Sequence, residues 1–430
     1  MSRPQVAYGV IPRSFSAEGL AGVEKRLPYL VELGVDMIWL SPVFEHPPHD
    51  FGYGTTDYRR VDPEHGSVHD LQRLVETAHR NGLRIILDLA PNHTSDRHPF
   101  YADVQERGTA SAYAGHYVKG DDGAYAHYFN WTNLINLDYG HPDVQQMMLE
   151  AMEYWINECD IDGYRFDAAW GIRERTPDFW PRCIDRLRQS KPDLFLLAEA
   201  SALDPYYLEA GFDAAYDWTT ELGTWAWTSA FTGQRGPAPV LRELLSTTPH
   251  PTRVFRFLNN NDTGARFLSV HGEQRYKLAA AMLLTLPGIA CIYMGDEVGL
   301  EFKPYDDKGP VRWPENRDLH DFHRRLIALR KDRLAGSCQL THLGNDQSEQ
   351  CLSYVLHGSA PPLVCTFNFG PSVQVHVELP VRSSGIAKDL WNHEAIAFDN
   401  ARVALSLDGD AFSLLELGPS AGSGSPAVSL

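Results

Sequence analysis

No run of apolar residues in this 430-residue chain is long enough to span a bilayer as a helix. Basic residues are in short supply. Against 56 Asp and Glu there are 38 Lys and Arg, and the net charge of -18 argues against nucleic acid, whose phosphates demand basic patches. Cysteine is sparse and scattered: the six residues (159, 183, 291, 338, 351, 365) show no C-x-x-C spacing. Cys159 and Cys291 sit in apolar runs, so buried thiols are expected rather than a disulfide framework. No secretory leader precedes the first apolar segment, Val6–Val10, and the expected compartment is the cytoplasm. Internal repeats are absent. What remains is an ordinary globular composition, 43 % hydrophobic and 22 % charged, in a chain long enough for one large domain and a smaller one.

Short apolar segments alternate with amphipathic ones through most of the length. Strands are expected at Val6–Val10, Met37–Leu40, Arg84–Leu89, Gly163–Asp167, Phe195–Glu199, Ala214–Asp217, Val254–Leu258 and Ile289–Tyr293. Helical patterns fall between them, as at Leu71–Asn81, Val144–Cys159 and Pro181–Gln189. Strand–helix alternation means a parallel sheet. Eight such strands predict a closed (β/α)8 TIM barrel, residues 1–92 and 141–337, with its chemistry on the loops after the strand ends. From His93 to about Gly140, Tyr, Gly, Asp and His dominate and no helical pattern holds. A connection that long is usually functional, and 93–140 is expected to be an inserted domain after the third strand. Past the helix Leu319–Arg333, alternating runs such as Cys351–Leu356, Leu363–Phe369 and Val373–Leu379 predict a C-terminal antiparallel β-sandwich over 338–418. The Gly/Ser/Pro-rich segment 419–430 reads as a disordered tail.

Acidic and polar residues recur at the expected strand ends. Gly163-Tyr164-Arg165-Phe166-Asp167 places Arg165 and Asp167 two apart, on one side of a strand. An aspartate beside a fixed guanidinium is expected to keep a low pKa and to suit a nucleophile; the plainer alternative is an Arg–Asp pair capping a strand. The third strand runs into Asp88-Leu89-Ala90-Pro91-Asn92-His93, the fifth into Ala198-Glu199-Ala200, and the seventh into Asn261-Asp262. Glu199 has no cation adjacent in sequence, which makes it the better candidate for a protonated acid. Asp167 and Glu199 then form the nucleophile and acid/base pair of a retaining glycosidase. Asp262 is placed to stabilise positive charge on a sugar ring.

These motifs, in order, resemble those of the α-amylase family of glycoside hydrolases (glycoside hydrolase family 13): DLAPNH (88–93), GYRFDAAW (163–170), AEA (198–200) and FLNNNDTGAR (257–266), with FGYGTTDY (51–58), NLINLD (133–138) and IYMGDE (292–297) in support. The resemblance implies Asp167 as nucleophile, Glu199 as acid/base and Asp262 as transition-state stabiliser. It implies Tyr53 stacking under the sugar in subsite −1, with His93, Arg165, Asn261 and Arg266 among the residues that bind substrate or hold the nucleophile. Three departures stand out. The family's fourth motif usually reads His-Asp, and here Asn261 stands before Asp262, offering one amide donor in place of an imidazole. The pair after the nucleophile motif is Trp170-Gly171, where starch-cleaving amylases often carry Lys-His; the indole is either a stacking face at subsite +1 or a core anchor. The aspartate-rich calcium loop that some relatives carry after the first strand is missing. No cofactor is implied. Calcium is the one metal to consider, because Asn92 and Asp138 match two ligands of the family's other calcium site, with a loop-bracing amide as the alternative reading of Asn92.

Other conspicuous residues get plainer readings. Trp218, Trp225 and Trp227 are expected to pack in the core or rim rather than line acceptor subsites, the prolines around His46–His49 suggest a loop, and Asp57 is expected to orient Arg165. The expected activity is hydrolysis of α-glucosidic bonds in maltooligosaccharides or related short α-glucans. The rivals are a transglycosylase of the same family and a non-catalytic glucan-binding protein. The expected partner is an oligosaccharide, with neither nucleic acid nor membrane.

Overall fold

The computed structural model describes residues 5–48, 50–306, 309–334, 338–358, 361–381 and 384–417. His49, the boundary at 337 and the 419–430 tail lie outside them. All eight expected barrel strands form: β1 (Val6–Val10), β2 (Met37–Leu40), β3 (Arg84–Leu89), β4 (Gly163–Phe166), β5 (Phe195–Ser201), β6 (Ala214–Tyr216), β7 (Val254–Phe257) and β8 (Ile289–Tyr293). Each pairs in parallel with its neighbours in sequence, and β8 closes on β1. The apolar runs β1, β2 and β8 are buried along their whole length, as strands of a parallel barrel must be when both faces are covered.

β4 carries the residues on which the site depends, and its first residue shows how tightly it is held. Gly163 has φ +151°, and a Cβ there would lie 1.8 Å from the Phe195 carbonyl of β5, so glycine alone fits. With β4 seated, Arg165 falls in register with Asp88 of β3 and Leu197 of β5. Residues opposite each other on paired strands share a face, so Asp88 and Arg165 meet.

The helix Val68–Arg80 begins three residues before the expected Leu71 because Ser67 and Asp70 form a reciprocal cap, each side chain accepting the other's backbone N–H. The segment after β3 corrects an expectation. It forms a three-stranded antiparallel sheet (His93–Ser95, Trp131–Asn136, His127–Tyr128), but it also contains a helix, Pro99–Arg107. Pro99 pre-sets the first helical position and the His98 side chain accepts the Phe100 N–H. Only Val104 of this helix is buried, so the sequence held no apolar period to read.

The chain falls into two compact units. The first is Met1–Gly223 with Arg253–Arg266 and Ile289–Asp321, and it contains every barrel strand and the inserted sheet. The second is Thr224–Thr252 with Phe267–Gly288 and Phe322–Leu430. It groups the helices Pro237–Thr247 and Glu273–Thr285 with the C-terminal strands, a division the sequence did not suggest. Its six-stranded antiparallel sheet and the pair Val373–Glu378/Arg402–Leu407 share an apolar core that includes Val355, Val364, Val375, Val403 and Leu415. Trp227 is buried in this unit against Trp225, and Trp218 is buried in the first unit edge-on to Tyr216, which is the packing role expected of them. All six cysteines are free and buried. No described helix is long and apolar enough to cross a membrane.

Candidate active site

The strand ends gather charge at one end of the barrel. Arg165, wholly buried, donates through Nη1 to Asp88 Oδ1 at 2.7 Å and to Asp167 Oδ1 at 2.9 Å. Its Nη2 lies 2.7 Å from Glu199 Oε1, and its Nε donates to the Tyr216 hydroxyl at 3.1 Å. The rings of Trp39, Tyr53 and Tyr216 surround the guanidinium, with centroids 5.5, 5.8 and 5.6 Å away. One cation therefore serves three carboxylates from three adjacent strands. Immediately after Asp167 the backbone turns through Ala168 at φ +47°, a sparsely populated conformation for alanine that clusters at functional sites. That turn aims the Ala168 N–H at Glu199 Oε2, 2.6 Å away.

Burial dominates the ionisation of these groups. It pushes Asp167 and Glu199 up to about 7, and Asp262 and Asp88 up to about 6, with Arg165 opposing it in each case. Two sequence expectations are corrected. Asp167 is not held low by its arginine, because desolvation outweighs a charge divided among three partners. Nor does Glu199 lack a cation: β4 and β5 are neighbours in the barrel, a proximity that adjacency in sequence does not reveal. After burial, Asp167 raises Glu199 further, by its charge first and then as a side-chain hydrogen-bond partner, so this neighbour favours the protonated form of Glu199.

Asn261 does not present the free amide donor that was expected. Its Nδ2 lies 2.9 Å from the Tyr53 hydroxyl, 3.0 Å from the Tyr305 hydroxyl and 3.2 Å from Asp262 Oδ2. Tyr305 in turn donates to Asp262 Oδ1 at 3.0 Å and stands edge-on to Phe51 at 4.8 Å. The amide Oδ1 is buried without a partner among the described residues, so this position offers an acceptor. Tyr305 comes from the loop after β8, and nothing in its sequence neighbourhood pointed to it. Since two hydroxyls are fitted around an amide, both Asn261→His and Asn261→Ala are expected to lower kcat/KM on maltooligosaccharides, each by about tenfold. A gain with His would mean that the position is relaxed.

Tyr53 and Trp39 both donate to Asp88 Oδ2 at 3.2 Å, which fixes the Tyr53 ring beside Arg165. His93 is fully buried, and burial pushes it down to about 3, so it stays neutral. Its ring lies 4.8 Å from that of Tyr128. Burial and then the field of Asp167, Glu199 and Asp262 raise the Tyr128 hydroxyl, which marks this ring as part of the site. From Tyr128 an aromatic series leads outward: Trp170 is half-buried, 6.0 Å from Tyr128 and 5.4 Å from Phe129. Phe129 is 61 % exposed and held at φ +50°, an outlier for a bulky residue.

Two expected site residues lie apart from this cluster. Arg266 donates to the Phe302 and Met294 carbonyls at 3.0 and 3.1 Å and to Asp296 Oδ1 at 3.2 Å, bracing the loops after β7 and β8. It is buried, and its Nε, Nη1 and Nη2 each donate to these loops. Asp57 accepts the Arg59 N–H at 2.8 Å; the partner that orients Arg165 is Asp88.

Residues 14–339 match the family model described as Alpha amylase, catalytic domain. The maltogenic alpha-amylase of Bacillus acidopullulyticus is 30 % identical over 94 % of this chain and 71 % of its own length. This chain belongs to the α-amylase family. The intracellular maltogenic amylase of Bacillus subtilis (strain 168) is 31 % identical over 89 % of this chain and 67 % of its own. The crystal structure of a noncanonic maltogenic alpha-amylase, AmyB from Thermotoga neapolitana, superposes with TM-score 0.81 at 21 % identity, covering 96 % of this chain and 98 % of that one, a likeness of fold.

For an α-amylase the resemblance raised calcium at Asn92 and Asp138, and the residues present do not fit it. Asn92 Oδ1, the atom a calcium ion would take, accepts from Arg175 Nη2 at 2.5 Å. Asp138 spends Oδ1 on the Gly140 N–H at 2.8 Å. A divalent ion at Asn92 would be set against a largely buried guanidinium. Two other groupings among the described residues bring three ligating side chains together, His116/His141/Asp143 and His46/Asp62/Glu64. In the first, His141 Nδ1 accepts the Asp143 amide at 3.2 Å as a helix cap, so its proton is on Nε2 and neither nitrogen is free to ligate. In the second, His46 Nδ1 donates to the Phe44 carbonyl at 2.9 Å and Arg13 already lies 3.6 Å from Glu64.

Proposed function

We propose that this α-amylase is a retaining glycosidase that hydrolyses α-glucosidic bonds of maltooligosaccharides or related short α-glucans by double displacement. The observation that carries the reading is the Asp167–Glu199 pair, two buried carboxyls held by the same Arg165 guanidinium. Glu199 donates its proton to the glycosidic oxygen while Asp167 attacks the anomeric carbon from the opposite face. The C–O bond breaks, the leaving sugar departs as an alcohol, and a glycosyl ester forms on Asp167. Glu199, now ionised, takes a proton from water, whose oxygen attacks the same carbon and releases Asp167. Asp262 faces the positive charge that develops on the ring. Tyr53 and His93 bind the −1 sugar, and Arg165 orients both carboxylates. The trio of carboxyls supports catalysis over mere glucan binding. Product profiles on maltoheptaose, cyclodextrin, pullulan and sucrose test the reading, and release of the β anomer first would overturn double displacement.

A second reading, transfer of the glycosyl group to a sugar acceptor, is favoured by the exposed ring series. Trp170 and Phe129 present faces on which an acceptor can stack. Trp170→Ala and Phe129→Ala are each expected to lower the ratio of transfer to hydrolysis by about three- to tenfold at high acceptor concentration, a stacking contact being worth about 1 kcal/mol. An unchanged ratio removes the aromatic platform from the account. The reducing interior of a cell is the compartment that suits six free buried thiols, and an oligosaccharide is the partner that suits the acidic cleft.

A further inference from the structure

We infer that Arg175 is a positioning residue: its guanidinium stands where a bound cation would, fixes the side-chain amide of Asn92, and through it sets which nitrogen of His93 carries the proton. The inference rests on the proposed contact between His93 and the −1 sugar, but its first test does not require activity.

The chain of contacts is short. Arg175 closes the helix Ala169–Arg175 that follows the Asp167 turn, and its Nη2 donates to Asn92 Oδ1 at 2.5 Å. Burial lowers the Arg175 guanidinium from its ordinary value, and Tyr139, Glu174 and Asp138 oppose that electrostatically; an arginine so placed stays charged. A guanidinium has donors only, so the oxygen of the Asn92 amide must face it and the NH2 must face away. That NH2 lies 3.1 Å from Asn136 Oδ1 and 3.2 Å from His93 Nδ1. An NH2 group only donates, hence His93 Nδ1 accepts. A neutral imidazole has one donor and one acceptor, which puts the proton on Nε2. Nε2 is buried and makes no hydrogen bond of good geometry among the described residues; the Tyr53 backbone is a weak partner that favours a proton on the ring, in keeping with Nε2–H. Buried donors are rarely left without a well-formed bond, and a sugar hydroxyl oxygen would give this one a better acceptor. Gly171 completes the device. A Cβ there would lie 2.4 Å from Asn92 Oδ1, so the Trp170-Gly171 departure is what lets the helix carry Arg175 past the amide.

Asn92→Asp is the decisive variant. It keeps the oxygen toward Arg175 and strengthens that contact, but replaces the NH2 with a second acceptor, which pulls the His93 proton to Nδ1. It also sets two oxygens together at Asn136, so the net change in melting temperature should be a few degrees at most. Histidine-selective nitrogen NMR of the full chain, assigned by loss of a signal in His93→Gln, is expected to show Nε2–H in the parent and Nδ1–H in Asn92→Asp. kcat/KM is expected to fall by about ten- to a hundredfold, since a buried donor is exchanged for a mismatched acceptor. Arg175→Met frees the amide to rotate and should give both tautomers, with no recovery on adding calcium. The inference is overturned by a parent His93 protonated on Nδ1, by an Asn92→Asp protein with the parent's tautomer or with kcat/KM within twofold of it, or by stoichiometric calcium whose chelation lowers the melting temperature. If no α-glucosidic bond is cleaved by the parent, the function fails while the tautomer result still stands or falls alone.

Discussion

Asp167→Asn is expected to cut turnover on maltooligosaccharides by about four orders of magnitude or more, and at the same time to raise the melting temperature by a few degrees at pH 8. In the proposed double displacement the first effect follows from losing the oxygen that would form the glycosyl ester. The second follows from proton linkage. Burial has raised Asp167 from an ordinary aspartate value to about 7, so the folded state holds a proton that the unfolded chain releases at lower pH. Its contribution to stability is complete below the unfolded value and is lost as pH rises from about 4 through about 7. Above that, an ionised Asp167 is a burden on the fold, and a neutral amide of the same shape removes it while still accepting from Arg165. Activity should show the complementary pattern. One proton on the Asp167–Glu199 pair is the working state, so kcat/KM should be bell-shaped, falling above about 7 as Glu199 loses its proton. Glu199→Gln should abolish that limb on a substrate with a good leaving group. Thermal scans and rate profiles across pH 5–9 check both. A less stable Asp167→Asn protein at pH 8, or one with a hundredth of parental turnover, would remove Asp167 from the nucleophile's role.

Much of this barrel was legible because a parallel strand covered on both faces is written as a continuous apolar run. β1, β2 and β8 are such runs, and their observed bounds coincide with the expected ones. Elements stabilised by something other than an apolar period were harder. The helix Pro99–Arg107 buries one valine and relies on its proline start and histidine cap. Helices that sit between barrel strands in sequence but group with the C-terminal sheets carry no mark of that choice in their own residues.

The site divides along a similar line. Residues at strand ends were found because strand position is local information, and Asp88, Arg165, Asp167, Glu199 and Asp262 do converge. Who touches whom across strands was not local. Asp57 was given the place beside Arg165 that Asp88 holds, and Glu199 was read as lacking a cation that lies 2.7 Å away. Arg266 sits four residues after Asp262 and still turns toward the β8 loop. Tyr305 and Arg175 were missed altogether. For Arg175 a signal existed: an arginine one turn beyond a glycine, on the helix Ala169–Arg175 that follows Asp167, where calcium had been the expectation.

Arg165 itself carries the other large prediction. Its guanidinium is the group that Asp88, Asp167 and Glu199 share, and none of the three is more than 10 % exposed at the side chain. Arg165→Met fills much of the volume but leaves three neighbouring carboxyls to settle their charge alone. Breaking a buried ion pair from one side costs about 3–5 kcal/mol, and here the penalty should depend steeply on pH. The cation is what opposes burial in each carboxyl's pKa, so without it all three rise further. Groups with raised folded values give stability that is present at low pH and lost as pH climbs through them. The variant should therefore lie close to the parent near pH 5, where its carboxyls are protonated, and melt far below it at pH 8. Arg165→Lys should fall between, because an ammonium lacks the fork that reaches carboxyls on both flanking strands at once. Activity should be lost in both, through Asp167 and Glu199 protonated together at neutral pH. A deficit in melting temperature that is the same at pH 5 and pH 8 would show that Arg165 acts by packing against Trp39, Tyr53 and Tyr216, and the electrostatic account of this barrel end would have to be abandoned.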